Sequence, residues 1–254
     1  MTEITTEISD QVAVVTLTRP PVNALTMALY GTIAEIFEAL GRADGVNCAI
    51  FTAEGSRAFC AGLDLKEFLA ASAADDPRRA AIVRRAFSAV YHCAVPVIAA
   101  VNGPALGAGC VMASVSDIRL ATENATFGLP EINVGRCGGG AHLGRLVPQG
   151  LLRRMFFTGM PIDAAEAYRV GLVDRIVAAD ALLPTAMELA GVIAKKSPLG
   201  LRHGKQALNE AEFLSVEEGY RREQEYSTRL MHTEDAREAA RAVLEKRPPV
   251  FRGR

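Results

Sequence analysis

The stretch from Val97 to Asp117 constrains this chain most, because it has the pattern of a buried strand, a tight turn and a helix start in direct succession. Val97 to Val101 is a short apolar run typical of a buried strand. Asn102-Gly103-Pro104 predicts a turn, and small residues then lead into an apolar helix predicted over Cys110 to Ser116. The first N–H groups of such a helix lack partners and lie at the positive end of its dipole. The stretch therefore predicts half of a site that stabilises a negative oxygen.

Composition limits the class of protein. The chain has 254 residues, half of them hydrophobic, so it can bury a sizeable core. A net charge of −1 gives no support to nucleic-acid binding. No apolar run approaches the roughly 18 residues of a membrane helix, and residues 1–11 do not resemble a targeting signal. Five widely spaced cysteines favour reduced thiols, so we expect a cytoplasmic α/β protein without a metal site.

Strand and helix patterns alternate in the first two-thirds of the chain. Strands are predicted at 4–8, 12–18, 48–52, 97–101, 118–121 and 172–177. Thr26 is the predicted N-cap of a helix that runs to about Leu40, and Ala70 to Pro77 is predicted to be a mobile loop or frayed helix. Helices alone are predicted near 182–196, 198–211, 215–231 and 234–247. We expect one α/β core over residues 1–190 and a helical region over 191–254.

Several motifs occur in a characteristic order along nearly the whole chain. They are Arg19-Pro20 with Asn23-Ala24-Leu25, Phe59 to Lys66, Val101 to Cys110, Phe127-Gly128-Leu129-Pro130-Glu131, Ala164 to Ala167 with Gly171-Leu172-Val173, and Glu245 to Phe251. Together they resemble the crotonase (enoyl-CoA hydratase/isomerase) superfamily. The resemblance implies a spiral of ββα units with a C-terminal helical extension. It also implies acyl-CoA thioester substrates, with coenzyme A as part of the substrate and no separate cofactor, and a homotrimer or dimer of trimers.

The resemblance assigns three residues to catalysis. The main-chain N–H groups of Leu63 and Ala108 match the pair that holds the thioester oxygen while an enolate forms. Ala108 stands where glycine is more usual, but it keeps its N–H group. Glu131 matches a catalytic glutamate, and its mostly apolar approach from Phe127 would raise a carboxyl pKa toward working pH.

Val111 is the main departure from the pattern, because hydratases of this family carry a second glutamate there. Two carboxylates hold the attacking water and deliver its proton, whereas a double-bond shift needs only one base. The residue set therefore predicts isomerisation rather than efficient hydration, with Glu131 as the single acid/base. Two alternatives stay open: an acyl-CoA-binding protein with little or no turnover, and a specialised acyl-CoA decarboxylase or hydrolase.

Three polar residues near the glycine-rich loop are possible auxiliaries. His142 has a pKa suited to proton transfer, although a surface or capping role is commoner. Arg136 would suit a carboxylate on an unusual acyl group, although a solvated arginine is commoner. Cys137 has no apparent activating partner, and Gly139 stands where other branches of the family often carry an aspartate.

Contacts to coenzyme A follow from the resemblance alone. Positions matching the pantetheine and adenine path are Ala24, Ala61, Leu63 and Leu65, and Lys66 matches a phosphate-facing lysine. Lys246 and Phe251 match a C-terminal segment that touches the ligand of a neighbouring subunit. The resemblance thus gives residues 1–190 the roles of thioester binding and catalysis, and residues 191–254 those of oligomerisation and contacts to CoA and the pocket.

Overall fold

A six-stranded sheet forms the centre of the computed structural model, which describes residues 3–254. Its strands are β1 (Ile4–Ser9), β2 (Val12–Leu17), β3 (Cys48–Ala53), β4 (Val97–Val101), β6 (Ile118–Thr122) and β9 (Arg175–Val177), in the spatial order β1-β2-β3-β4-β6-β9. The predicted hairpin β1–β2 is antiparallel, and every later pair is parallel. All residues of β3 and β4 are buried, which explains their continuous apolar sequences.

A second, three-stranded sheet positions the site. It contains β5 (Ala105–Leu106), β7 (Thr126–Gly128) and β8 (Ile162–Asp163), in the order β5-β7-β8. Cys60 forms a parallel bridge with Ala105 of β5, and Leu63 forms another with Leu25. The chain around residues 60–63 is thereby aligned beside the segment that leads into the next helix.

Eleven α-helices occur between residues 3 and 254. They are α1 (Met27–Arg42), α2 (Leu65–Ala70), α3 (Asp76–Tyr91), α4 (Ala108–Val115), α5 (Gly140–Leu143), α6 (Gln149–Thr158), α7 (Ala164–Arg169), α8 (Leu182–Ala194), α9 (Pro198–Ala211), α10 (Val216–Met231) and α11 (Glu234–Leu244). No helix in this part of the chain has the length and apolar character needed to cross a bilayer.

Side chains that alternate along the strands build a core on each face of the large sheet. Ala49 and Phe51 belong to the main core, which includes buried residues of α1, α3 and α4. Cys48 and Ile50 face the other way and pack with the alanine face of α8. Because successive strand residues point to opposite faces, one strand serves both cores.

Side chains cap the starts of two helices, one of them at the predicted N-cap Thr26. The Thr26 hydroxyl accepts a hydrogen bond from Leu29 N at 3.2 Å, and the Asp163 carboxylate accepts one from Glu166 N at 2.8 Å. Of the mobile loop or frayed helix predicted over Ala70 to Pro77, the structure has short helical pieces: Ala73–Asp75 form a 3₁₀ turn and α3 begins at Asp76. Pro77 is compatible with this start, since a first-turn residue needs no N–H partner within the helix.

Helix α4 begins at Ala108, two residues before the predicted start, and its C-terminal end is anchored by a buried arginine. The Arg119 guanidinium donates to the carbonyl oxygens of Ser116 at 2.6 Å and Ala113 at 3.3 Å, and its Nε donates to Leu172 O at 2.6 Å. Burial lowers the pKa of Arg119 to about 10. Arg119 therefore fixes the far end of the helix whose first residue is a predicted oxyanion donor.

Candidate active site

Two glycine-containing segments lie side by side at the predicted oxyanion site. Leu106 N donates to Cys60 O at 2.9 Å, and Cys60 N donates to Pro104 O at 3.2 Å. Gly62 has a φ of +96°, and a side-chain carbon there would lie 3.0 Å from Leu106 O and 3.5 Å from Ala108 N. Glycine at position 62 thus permits both the turn and the close approach of the two segments.

The two predicted main-chain donors are free. Leu25 pairs with its neighbour through Gly62 O and Asp64 N, at 2.7 and 2.9 Å, so the N–H of Leu63 points away from that pairing. Ala108 is the first residue of α4, where helices leave N–H groups without internal partners. Neither N–H has an acceptor among residues 3–254. Both groups are available to an oxygen of a ligand.

Glu131 lies beside this pair of donors. It belongs to a 3₁₀ turn over Pro130–Val134, which is closed by a hydrogen bond from Arg136 N to Glu131 O at 2.9 Å. Its Oε1 lies 3.0 Å from the place a side-chain carbon would occupy at Gly107, the residue before Ala108. That same place is 3.8 Å from Gly62 Cα. The carboxyl group therefore lies against Gly107 and near Gly62, the residues that precede Ala108 and Leu63.

One oxygen of the Glu131 carboxyl group lacks a hydrogen-bond partner in the described part of the chain. This oxygen, Oε2, is also buried. Burial raises the pKa of Glu131 above the ordinary glutamate value of 4.5, and a hydrogen bond from its own backbone opposes this effect more weakly. A buried, unpartnered carboxylate oxygen is uncommon and points to a partner supplied from outside the chain.

Val111 makes the neighbouring wall apolar. Its side chain is buried, and its Cγ2 lies 2.8 Å from the place a side-chain carbon would occupy at Gly139. Leu129 Cδ2 lies 2.6 Å from the same place. Valine, leucine and the glycine-rich loop therefore lie close together at this wall of the site.

Two of the three possible auxiliaries, Arg136 and His142, have contacts elsewhere in the chain. The Arg136 guanidinium lies 2.8 Å from Asp76 Oδ1 and stands over the Phe68 ring at 5.4 Å. The His142 ring packs edge-to-face on Phe87, with centroids 5.5 Å apart, and burial lowers its pKa. Cys137 is an exposed free thiol.

All five cysteines are free, and Cys137 is the exposed one. Burial raises the pKa of Cys60 and that of Cys110 to about 12, so neither is a thiolate at neutral pH. Within the described ranges, no three His, Cys, Asp or Glu side chains are grouped closely enough to hold a metal ion.

Arg19 links two segments that carry residues predicted to contact coenzyme A. Its guanidinium donates to Ala24 O at 2.8 Å and to Asp64 Oδ2 at 2.7 Å. Asp64 also caps α2 by accepting from Glu67 N at 3.1 Å and from Lys66 N at 2.9 Å. The hydrogen bond from Glu67 N, together with that from Arg19, lowers the pKa of Asp64. The exposed side chains of Leu65 and Lys66 therefore start from a fixed turn, and Ala61 N is held by Val22 O at 3.0 Å.

Lys246 and Phe251 belong to a C-terminal segment that folds back on α11. The buried Asp235 carboxylate accepts from Arg252 N at 2.7 Å and from Gly253 N at 3.0 Å. Lys246 is exposed at the turn after α11, and Phe251 is half-buried. Their predicted contact with the ligand of a neighbouring subunit stays a prediction.

Three polar residues near the site did not stand out in the sequence. Tyr30 lies on the apolar face of the amphipathic helix α1 and is 1% exposed, so its sequence position indicated only a core residue. Arg79 on α3 faces Glu67 on α2, with Nη1 and Oε1 3.4 Å apart. The spacing of Tyr30 from Ile33 and Phe37 does predict its burial, but no local pattern predicts the Arg79–Glu67 pair.

Comparison with known proteins assigns the family. The family model for Enoyl-CoA hydratase/isomerase matches residues 7–254. The (7aS)-7a-methyl-1,5-dioxo-2,3,5,6,7,7a-hexahydro-1H-indene-carboxyl-CoA hydrolase of Mycobacterium tuberculosis is 41% identical over 222 residues, which are 86% of this chain and 89% of that protein. The 2,3-dehydroadipyl-CoA hydratase of Escherichia coli is 37% identical over 262 residues, with 100% of both chains covered.

A solved structure agrees with this assignment. The crystal structure of an enoyl-CoA hydratase from Bacillus anthracis matches with a TM-score of 0.95 at 31% identity and 100% coverage of both chains. The predicted crotonase-like α/β fold with a C-terminal helical extension is thereby confirmed. The chain belongs to the enoyl-CoA hydratase/isomerase (crotonase) family and is an enzyme of that type, acting on acyl-CoA thioesters.

Proposed function

We propose that the chain shifts a double bond in an acyl-CoA thioester, with Leu63 N–H and Ala108 N–H as the oxyanion hole and Glu131 as the single acid/base. One observation carries the proposal. Two main-chain N–H groups without acceptors lie on adjacent segments, and the Glu131 carboxyl group, whose Oε2 is buried and has no partner, lies against Gly107 beside one of them.

The chemistry follows from this arrangement. The two N–H groups hold the thioester oxygen, so the charge that develops there when a proton leaves carbon is stabilised. Glu131 accepts that proton, and the electron pair delocalises into an enolate. Glu131 then returns the proton to a different carbon, which leaves the double bond moved and the enzyme unchanged. A raised carboxyl pKa makes Glu131 a stronger base once it is ionised.

Isomerisation is favoured over hydration because Val111 and Leu129 give the second side of the site no group that polarises water. Hydrolysis is the second candidate, since the relative from M. tuberculosis is named as a hydrolase and the same oxyanion pair would serve it. In that case an auxiliary residue such as His142 or Arg136 would position or activate the attacking water.

A panel of acyl-CoA substrates tests the proposal. The full-length chain is assayed for shift of a β,γ double bond, for hydration of crotonyl-CoA and for release of free CoA, with thioester binding measured by calorimetry. We expect double-bond shift to be the fastest of the three reactions. Tight binding without turnover would contradict the proposal and favour a binding-only protein, whereas faster release of CoA would favour the hydrolase.

Val111→Glu tests why hydration is disfavoured. We expect it to raise the ratio of hydration to isomerisation by about 10²-fold, because it restores a second carboxylate for the attacking water. Both this variant and Val111→Gln overfill the space beside Gly139, at a cost of about 1–3 kcal/mol in the free energy of unfolding.

Val111→Gln is therefore the matched control, with similar volume and no basic group. The ratio of hydration to isomerisation is measured for each variant by following loss of the enoyl thioester absorbance and by product chromatography. Equal ratios for the two variants would mean that the missing carboxylate does not limit hydration.

Coenzyme A, in this proposal, lies along the edge formed by Ala24, Ala61, Leu65 and Lys66. Residues 1–190 bind the thioester and carry out the chemistry, and residues 191–254 assemble the oligomer and bring Lys246 and Phe251 to a neighbouring subunit's ligand. Exposed apolar side chains in the second region support this assignment: Phe213, Val216, Met231, Val243 and Leu244. We expect sedimentation to give the mass of three or six chains, whereas a monomer would contradict the proposed assembly.

A further inference from the structure

Arg79 is a mostly buried arginine on α3 whose guanidinium group is incompletely paired. Its side chain is 14% exposed, and its Nη2 is buried without a partner among residues 3–254. Its Nη1 lies 3.4 Å from Glu67 Oε1, which is longer than the distance of about 2.7–2.9 Å in a charge-assisted hydrogen bond. Because buried cations are normally paired and hydrogen-bonded, the unpartnered Nη2 points to an oxygen supplied from outside the chain.

The nearby carboxylates do not complete this pairing. Glu67 Oε2 accepts from Met27 N at 2.9 Å, at the first residue of α1, so the positive end of that helix shares the charge of Glu67 with Arg79. Asp76, one turn before Arg79 on α3, is paired with Arg136, with Oδ1 and Nη2 2.8 Å apart. The guanidinium therefore keeps a donor, and part of its charge, for a further acceptor.

Contacts at both ends of α3 show which way this face of the helix points. Asp76, Arg79 and Phe87 share one face, because three and eleven residues along a helix bring side chains back to nearly the same side. At one end of the face Asp76 pairs with Arg136, and at the other the Phe87 ring packs on the His142 ring, with centroids 5.5 Å apart. Arg79 lies on the face between these two contacts.

The elements on either side of Arg79 lead directly to the proposed site. Arg136 N donates to Glu131 O at 2.9 Å, so the segment that meets α3 begins at the turn of the acid/base. Glu67 lies on α2 four residues after Leu63, about one helical turn from an oxyanion donor. Arg79 is thus bounded by two elements, each of which starts at a residue of the site.

A carboxylate fits this position better than an uncharged oxygen. A guanidinium group is always charged, and its N–H groups form a fork that matches carboxylate geometry. An uncharged oxygen would satisfy Nη2 of Arg79 but leave the remaining charge of the group uncompensated, whereas a carboxylate would do both. Arg136, the other arginine of this region, is exposed and already has a carboxylate partner.

We propose that Arg79 binds a carboxylate at the far end of the acyl group, so that the preferred substrates are dicarboxylic acyl-CoA thioesters. This inference rests on the proposed function, which holds the thioester oxygen at Leu63 and Ala108 and the reacting carbons at Glu131. The acyl group then extends between α2 and the segment that begins at Arg136, and its terminal carboxylate accepts from Arg79 Nη2. Such a site discriminates against the alkyl analogue, which leaves the buried donor unpaired.

Arg79→Met tests the inference, because methionine keeps an unbranched apolar side chain and removes the charge and the donors. Calorimetry with the full-length chain compares adipyl-CoA with heptanoyl-CoA and glutaryl-CoA with hexanoyl-CoA. Each set includes the methyl ketone in which a methyl group replaces one carboxylate oxygen. We expect the wild type to bind at least one dicarboxylic thioester more tightly than its partners. The variant should bind that thioester about 10- to 100-fold more weakly, with less than about 2-fold change for the alkyl thioesters.

Arg78→Met is the matched control. Arg78 is the preceding residue on α3, but its side chain is 73% exposed and its guanidinium lies 3.7 Å from Asp75 Oδ1, so we expect wild-type binding of every thioester. Melting curves show whether each variant is folded. Arg79→Lys keeps a cation but loses the fork, and it decides the question if Arg79→Met is unfolded. We expect it to weaken dicarboxylic binding by about 3- to 10-fold and to leave alkyl binding unchanged.

Three results would overturn the inference. Equal loss of binding for all thioesters in Arg79→Met would mean that Arg79 only holds α2 in place. A methyl ketone that binds the wild type as tightly as its dicarboxylic counterpart would remove the need for a charge. A wild type that binds alkyl and dicarboxylic thioesters equally would mean that water completes the pairing of Arg79. Failure of the wild type to bind any of these thioesters would instead overturn the proposed function.

Discussion

Glu131→Gln is expected to lower turnover by about 10²- to 10⁴-fold, while binding of the acyl-CoA substrate is largely kept. The amide has the size of the carboxyl group but accepts no proton, so the transfer between carbons loses its base. The oxyanion donors at Leu63 and Ala108 remain in place and continue to hold the thioester oxygen. Steady-state assays with the fastest substrate of the panel measure the effect.

Glu123→Gln serves as the control, because Glu123 is an exposed glutamate eight positions earlier in the chain. It is expected to turn over at the wild-type rate. Wild-type turnover by Glu131→Gln would remove Glu131 from the reaction, and equal losses in both variants would mean that the effect is not specific to the site.

The stability of Glu131→Gln relative to the wild type should depend on pH. Burial raises the pKa of Glu131 in the folded protein, so ionisation there costs stability at a pH above that raised value. Below the unfolded value of about 4.5 the carboxyl group is protonated in both states, and the cost disappears. Glu131→Gln should therefore be more stable than the wild type at neutral pH, with a difference that shrinks as pH falls. The acid limb of wild-type kcat/KM should lie above 4.5.

Local sequence patterns predicted the larger elements because each carries its own signal. The apolar spacing of α1 and its Thr26 cap lie within sixteen residues of one another, and β3 and β4 are continuous apolar runs between turns. The strands β5, β7 and β8 are only two or three residues long, which is too short for alternation to appear. The stretch that leads into α3 was predicted only as a mobile loop or frayed helix, because its Ala-, Ser- and Asp-rich composition resembles a loop.

The prediction of the site rests on an ordered set of motifs rather than on local pattern. Nothing in spacing alone brings Cys60 beside Ala105 or Glu131 beside Gly107, because these contacts depend on sheet pairing between distant segments. The ion pair between Arg136 and Asp76 joins residues sixty positions apart, so the sequence offered only a solvated arginine or a partner for a substrate carboxylate. The apolar spacing of α1 predicts that Tyr30 is buried, but it does not predict what the Tyr30 side chain contacts.

Gly109→Ala is expected to disable the oxyanion hole. A side-chain carbon at this position would lie 2.2 Å from Cys60 O and 2.8 Å from Cys60 Cβ, and real contacts of that kind are essentially never that short. The first turn of α4 must therefore move away from the segment that leads to Leu63, which separates the two N–H donors. Loss of one such donor costs about 2.7–4 kcal/mol in transition-state stabilisation, or about 10²- to 10³-fold in kcat.

Gly191→Ala separates this steric effect from the general effect of adding a methyl group to a helical glycine. Gly191 lies within α8, and a side-chain carbon there would meet nothing within 4 Å. We expect this control to gain about 0.5–1 kcal/mol in unfolding free energy and to keep its activity, because alanine is the better helix former. Thermal melts and kcat are measured for both variants. If Gly109→Ala melts below the wild type yet keeps kcat, the gap between α4 and Cys60 matters to packing alone. The oxyanion would then have to be held by groups other than Leu63 and Ala108.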